Sequence, residues 1–201
     1  YLGNDPSSTT DDAQYNVALG TTALDVVTTG DHNVAVGYNS LKYNTTGSGN
    51  TASGVQSLYR NTEGYWNTAY GHESLRSNTE GDKNTASGFG SLYSNTTGSF
   101  NIASGFHSLR FNTTGANNTA LGYESGDVIT TGTNNVMLGY QTDPSAADAT
   151  NQIVIGKGAT GQADNSVVLG NADVTAVYAS QDAGATLHAG ALNLGGTAVT
   201  S

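Results

Sequence analysis

The chain has 201 residues, 27 of them Gly, with 36% hydrophobic and 11% charged residues, a composition unlike that of an ordinary globular enzyme. Abundant Gly, Asn and Thr disfavour helices, while two Pro and eleven Tyr are not the signature of a disordered chain. Six Lys and Arg against 16 Asp and Glu leave a formal charge of −10, the wrong sign for nucleic acid or an anionic membrane, and the absence of Cys removes disulfides, Cys-ligated zinc and thiol chemistry.

Residues 1–15 read as an N-terminal lead-in. The start, Tyr1-Leu-Gly-Asn-Asp-Pro6, has neither the basic nor the apolar part of a signal peptide, and no run approaches the roughly 18 apolar residues of a membrane span. A native chain begins with Met, so the sequence is expected to be a processed product or an excised piece, with no membrane insertion in this segment.

The repeat domain spans 16–170. One phrase recurs, N-(T/V)-A-x-G-x-x-S-L-x-x-N-T-(T/E)-G-x-x, opened by Asn16, Asn33, Asn50, Asn67, Asn84, Asn101, Asn118 and Asn135 at a step of 17. Four residues after each Asn stands a glycine: Gly20, Gly37, Gly54, Gly71, Gly88, Gly105, Gly122 and Gly139, with Gly156 and Gly170 closing the series. A second glycine keeps the step from Gly30 to Gly132, as do Ala18 to Ala120 and Leu24 to Leu109. Seventeen residues suit one coil of a parallel β-solenoid, or β-roll. Its expected parts are two short strands, Asn-Thr-Ala-x and x-x-Ser-Leu-x-x, and two glycine turns where positive φ is needed and a Cβ would clash. Equivalent residues then stack at about 4.8 Å, so that nine coils from Asn16 to Gly156 make a rod roughly 40 Å long.

Gln152-Ile-Val-Ile-Gly156 holds the register, but Ser166-Val-Val-Leu-Gly170 follows 14 residues later, which implies a narrower final coil. Residues 171–201 read as a neck or exchange-strand segment. Asp173-Val-Thr-Ala-Val-Tyr-Ala-Ser180 and Ala185-Thr-Leu-His-Ala-Gly-Ala-Leu-Asn-Leu194 alternate like edge strands, and the tail to Ser201 has no cap.

A coil with one Leu, one Ala and one or two further apolar positions has a thin interior beside an ordering cost of roughly 1–2 kcal/mol per residue. Three parallel rods about a threefold axis bury a second face on each, which predicts an obligate homotrimer.

Asn165-Ser-Val-Val-Leu-Gly170 and Gln152-Ile-Val-Ile-Gly156 resemble the N-S-V-A-I-G phrase of trimeric autotransporter adhesin heads. Copies such as Asn67-Thr-Ala-Tyr-Gly-His-Glu-Ser-Leu-Arg-Ser-Asn-Thr-Glu-Gly81 are similar to the longer-period repeats of bacterial surface proteins and of bacteriophage tail fibres. Leu169 to Ser201 resembles the neck of phage fibres that carry a C-terminal chaperone, which this sequence does not contain. The resemblance covers about residues 14–172 and implies an all-β, left-handed roll assembled as a parallel homotrimer. It implies an extracellular location on a virion fibre or a bacterial surface, and a structural, host-attaching function without enzymatic activity or cofactor. A phage tail fibre is the first expectation and a bacterial adhesin head the alternative. The fold is far better specified than the function, because one fold hosts many functions. The usual step of these heads is nearer 14 than 17, and nothing here resembles a membrane-anchoring barrel.

The two residues before each Asn vary most, and variable loops on a rigid rod are where binding resides. Tyr65, Trp66 and Phe100, with Tyr59, Tyr93 and Phe111 on a neighbouring strip, are the candidate ligand-binding residues. They offer flat rings to a host glycan or surface protein, or serve as glue between protomers. Glu63 and Glu80 lie one period apart, within the reach of a glycosidase carboxylate pair, but at positions where other coils carry Thr46, Thr97 and Thr114, which favours a solvated face. His72 and His107 read as sharing a strip two periods apart, too far to ligate one metal, and no metal is expected. Columns at Thr45, Thr62, Thr79, Thr96 and Thr113, and at Thr51, Thr68, Thr85 and Thr119, resemble the arrays of ice-binding proteins, although Thr belongs in any ladder. The Asn-Thr-Thr acceptor triplets at Asn44, Asn95 and Asn112 are by-products of the repeat.

Overall fold

The computed structural model describes residues 2–3, 13–177, 192–194 and 197–199. The chain forms two compact units, Tyr1–Asn171 and Ala172–Ser201. In the first, eleven strands line up in one parallel sheet in sequence order. They are β1 (Leu2–Gly3), β2 (Val17–Gly20), β3 (Val34–Val36), β4 (Thr51–Ser53), β5 (Thr68–Tyr70), β6 (Thr85–Ser87), β7 (Ile102–Ser104), β8 (Thr119–Leu121), β9 (Val136–Leu138), β10 (Gln152–Ile155) and β11 (Ser166–Leu169).

Register follows the repeat. Ala18 pairs with Ala35 and Ala52 with Ala69, each a step of 17, so the described solenoid is an all-β stack without a helix. Between β10 and β11 the pairing Gln152 with Ser166 shortens the step to 14, giving the narrower final coil. Leu2 pairs with Leu19, which brings β1 into the same sheet one step before β2.

We number the coil from its opening Asn as position 1. Within each strand the middle residue, position 3, points inward: Ala18, Ala35, Ala52, Ala69, Ala86, Ala103 and Ala120 are at most 2% exposed. Such close approach admits Ala and little larger until Met137 and Val154, where the facing Leu column has ended and Gly126 leaves its space to Met137. Opposite them lies the column Leu24, Leu41, Leu58, Leu75, Leu92 and Leu109, all fully buried, and each Leu contributes roughly 1.5–3 kcal/mol by leaving water.

Each coil contributes one strand, not the two expected. Positions 6–11 are turns, in which the buried Leu residues lie in the left-handed region at φ 48–51°. That conformation costs a non-glycine residue about 1–2 kcal/mol, and only the surrounding stack holds it. It turns Leu inward while its N–H still finds the next coil, as in Leu41 N–H donating to Ser57 O at 3.0 Å. Turns therefore stack through axial hydrogen bonds much as strands do, and period-2 alternation is not required of them.

The interior is also polar. At position 1, Asn67 is fully buried, and its backbone N–H donates to Asn50 Oδ1 at 2.9 Å and its Nδ2 to Gly81 O at 2.8 Å. At position 12, Asn61, Asn78, Asn95 and Asn112 each donate Nδ2 to the preceding Asn Oδ1 at 2.7 Å. Buried amides that satisfy one another in this way avoid the desolvation penalty of an orphaned polar group.

The two glycine columns exist for different reasons. Gly71, at position 5, has φ +129°, and a Cβ there would lie 2.6 Å from Gly88 O. Gly81, at position 15, has no left-handed φ, yet a Cβ would lie 2.4 Å from Gly98 O. The second column is a matter of space alone, where positive φ was expected.

In the second unit, residues 172–177 carry no strand, so the alternation from Asp173 does not form one as far as Val177. Residues 178–191, with the remainder of that run and the start of the next, lie outside the described residues. Strand β12 (Leu192–Leu194) pairs antiparallel with β13 (Thr197–Val199).

Candidate functional site: columns on the rod surface

Because every coil repeats its backbone, outward side chains at one position form an axial column, and each column has its own chemistry. Positions 2 and 4 of the strands make the outer face of the sheet. Positions 6 and 7, 10 and 11, and 14, 16 and 17 make the remaining columns.

Position 17 holds Trp66, Lys83 and Phe100 in successive coils. Trp66 is 60% and Phe100 52% exposed, and Lys83 Nζ sits 5.2 Å from the Trp66 ring centre and 4.9 Å from that of Phe100. All three have left-handed backbone, φ 54°, 54° and 60°, which aims the side chains along the rod. Trp66 covers the bare backbone of Gly49, where a Cβ would lie 2.6 Å from its Cδ1. Tyr65, one residue earlier, tilts against Trp66 at 5.9 Å. The structure thus brings Tyr65, Trp66 and Phe100 together, but through a lysine between two rings.

Tyr59 and Tyr93 share position 10 with Lys42, Arg76 and Arg110. The Arg76 guanidinium lies 5.3 Å from the Tyr59 ring centre and 5.5 Å from that of Tyr93, within cation–π range of both. Arg76 Nη1 also donates to the Tyr93 hydroxyl at 3.2 Å, and its Nε faces Glu73 Oε1 at 3.4 Å. Phe111 is one residue off this column, at position 11 with Tyr43 and Arg60, and Arg110 lies 5.1 Å from its ring centre. The hydrogen bond from Tyr59 to Tyr43 raises the Tyr59 hydroxyl pKa, burial adds to it, and Arg76 and Arg60 oppose it.

A third column was not singled out from the sequence. Position 6 stacks His72, Phe89, Phe106, Tyr123 and Tyr140 face to face, with ring centres 5.1–5.3 Å apart. The signal was the residue after each first glycine. His107 lies at position 7, one residue off the His72 column, since 35 residues and not two periods separate them. It packs on Phe106 at 3.9 Å, and burial, then the Arg110 charge, lowers its pKa.

The other candidates are reduced by their surroundings. Glu63 and Glu80 are exposed. Thr62 and Thr79 are half-buried, and their hydroxyls donate to the carbonyls of Thr79 and Thr96 in the next coil, both at 3.2 Å, so this Thr column offers no free array of hydroxyls. Thr51, Thr68 and Thr85 are exposed but are interrupted by Ile102. The acceptor residues Asn44, Asn95 and Asn112 are fully buried. Among the described residues no group of three or more His, Asp or Glu is placed to hold a metal, and no helix is long and apolar enough to cross a membrane.

The ten position-5 glycines, from Gly20 to Gly170, run at φ between +87° and +144°. They are the corners from which the position 6 and 7 columns leave.

The fold and these columns define a parallel β-solenoid of 17-residue coils. Compared with known protein families, with curated proteins and with solved structures, the chain matches none.

Proposed function

We propose that the chain is a structural and host-attachment segment of a trimeric extracellular fibre, of the kind found in bacteriophage tail fibres. One observation carries the reading. Strands β2–β11 present two outward positions each, and none of them is charged, on a chain of net charge −10. Both ends of this face are apolar: Val17, Leu19, Val34 and Val36 at one, Leu121, Val136, Leu138, Ile153, Ile155, Val167 and Leu169 at the other.

Every other outward column carries at least one charged residue, a lone Lys or Arg at positions 6, 11 and 17 and acids at positions 7, 10, 14 and 16, so only this face meets a second copy of itself without like charges opposed. Thr and Ser at most positions of the middle coils allow close approach about a shared axis, while Tyr70 at 66% and Ile102 at 48% exposed, like Leu169 at 50% and Val167 at 60%, remain to be covered. Three copies would then present identical outer columns together, and weak contacts add through avidity. The fibre's work is mechanical and multivalent, with no reacting group required.

The head of a bacterial trimeric adhesin is the second reading, favoured by the 14-residue step onto β11 and by the phrase at Asn165 that carries it. A downstream chaperone in the full gene would mark the fibre, and a coiled coil with a membrane barrel the adhesin. Light scattering during size exclusion tests the common ground. A mass near three times 20.5 kDa is expected, and a stable monomer would overturn the proposal.

A further inference from the structure

The chain has only six Lys and Arg, and four of them, Lys42, Arg60, Arg76 and Arg110, fall at coil positions 10 and 11 within five successive coils. Random placement over the surface of so acidic a chain does not do this. Among the described residues Arg76 is the only one of the four in an ion pair, with Glu73 at 3.4 Å. The cations are therefore gathered on one side and largely unneutralised.

Their spacing is regular. Position 10 reads Lys42, Tyr59, Arg76, Tyr93, Arg110, a cation in every second coil with a tyrosine between. At about 4.8 Å per coil, successive cations are about 10 Å apart and the whole column spans about 19 Å. Asp25 precedes it and Asp127 follows it at the same position, so the positive stretch has two acidic ends.

We propose that this column binds an acidic linear polysaccharide, one carrying a carboxylate or similar anion on every second sugar. An extended chain of that kind places its charges two sugars apart, matching a cation in every second coil. The intervening Tyr59 and Tyr93 meet the uncharged sugar with a ring edge and a hydroxyl. Guanidinium groups suit this task because they present several donors in a plane to carboxylate oxygens. The proposal names the ligand class for the attachment function above, and rests on that reading only for its biological setting.

Nucleic acid fits the column poorly. Along a duplex axis the phosphates of each strand recur at about 3.4 Å, out of step with the cations, and the bases of a single strand bind by stacking on open aromatic faces. Arg76 already occupies the space between the Tyr59 and Tyr93 rings, leaving no gap for a base. The column also lies outside the strands, so a partner copy on the sheet's outer face leaves it free.

Isothermal titration of the full chain with a hyaluronan octasaccharide, one carboxylate per disaccharide, tests the proposal. Carboxyl-reduced hyaluronan and an oligothymidylate serve as comparisons. Saturable binding to hyaluronan that weakens with salt is expected, with loss of affinity of at least about tenfold in a Lys42→Gln/Arg76→Gln/Arg110→Gln variant of unchanged melting temperature. Arg76→Lys alone, which keeps the charge but not the planar donors, should lose less affinity than Arg76→Gln alone. Absence of saturable binding, equal binding of the carboxyl-reduced polymer, tighter binding of oligothymidylate, or an unaffected triple variant would each overturn it. A trimer that fails to bind hyaluronan refutes this column alone, whereas a monomer that binds it refutes the fibre and leaves the column standing.

Discussion

Asn78 donates its side-chain amide to Oδ1 of Asn61, one coil earlier, at 2.7 Å, and both residues are fully buried. The same amide reaches Gly81 O at 2.9 Å, and Asn78 Oδ1 receives Asn95 Nδ2 at 2.7 Å. A carboxamide donates twice and accepts at its oxygen, so one side chain can bridge to the preceding Asn, to its own turn carbonyl and to the following Asn, and the second Asn of the repeat recurs with little drift.

Asn78→Ala removes two donated hydrogen bonds and one accepted one from the middle of this column. Asn61 Oδ1 loses its partner, and each buried orphan costs about 1–3 kcal/mol. Chemical denaturation should show a loss of at least about 2 kcal/mol. Asn78→Asp should be worse near neutral pH, since it places an ionised oxygen against Asn61 Oδ1 in a buried site. A variant as stable as the parent would contradict the account of the interior.

Glycine substitutions separate conformation from space. Gly71→Ala and Gly81→Ala should be comparably destabilising, because both put a Cβ within 2.6 Å of a carbonyl in the next coil, although only Gly71 has positive φ. Gly158→Ala meets nothing within 4 Å at φ +60°, so its loss should be confined to the left-handed penalty of about 1–2 kcal/mol. Melting temperatures ranked with Gly158→Ala at or below the other two would count against this division.

Protonation of Asp143 and Asp127 should stabilise the rod between pH 7 and 4, outweighing the opposite contribution of His107, whose lowered pKa makes the unfolded chain the first to take up that proton. Burial, and next the charge of Asp127, pushes the Asp143 carboxyl up to about 6 from its ordinary 3.8, against the pull of the Val128 and Asp127 N–H groups. Burial, then Glu124, raises Asp127 as well. Above pH 6 the folded state carries an unfavourable carboxylate. As pH falls toward 3.8 the folded state takes up a proton that the unfolded chain does not bind, so stability rises, by an amount on the order of 1–3 kcal/mol for Asp143. Below that range both states are protonated and the gain is complete. Thermal melts should shift upward from pH 7 to 5, and Asp143→Asn should flatten that shift and raise the pH 7 value. A fall on acidification in this window would be the wrong sign.

Much of this architecture is legible in the sequence because a 17-residue step leaves few folds to choose from, and the 14-residue step before Ser166 already announces the narrower coil. The turn at positions 6–11 is not legible in the same way. Leu75 is an apolar residue in a polar setting, which reads as half of a strand, and nothing local announces that the stack holds it at φ 50°. The column at position 6 was missed for a different reason. Tyr38, Val55 and His72 precede Phe89 and Phe106, and the mixed start hides an aromatic run that becomes evident only when coils are stacked. The rings chosen from the variable pairs, Trp66 and Phe100, do lie in one column, but the Lys83 between them changes their chemistry. Alignment by position exposes it, whereas a search for aromatics alone passes over it.

Assembly through the sheet's outer face makes a prediction that distinguishes it from assembly through the aromatic columns. Leu138 and Ile155 are 38% and 37% exposed and stand in register on β9 and β10. A charge at either would be repeated about the symmetry axis, where like charges oppose one another at close range. Leu138→Asp should therefore lower the mass by light scattering from trimer toward monomer while leaving the solenoid of the single chain folded. Phe100→Lys, on the column of Trp66, should leave the mass unchanged. Trp66 is the sole Trp of the chain, so its emission reports this column without ambiguity: it should remain that of a solvent-exposed indole, open to acrylamide quenching, in parent trimer and Leu138→Asp variant alike. A trimer that shields Trp66, or one that survives Leu138→Asp and dissociates with Phe100→Lys, would place the interface on the aromatic side. It would also turn the rings into contacts between protomers.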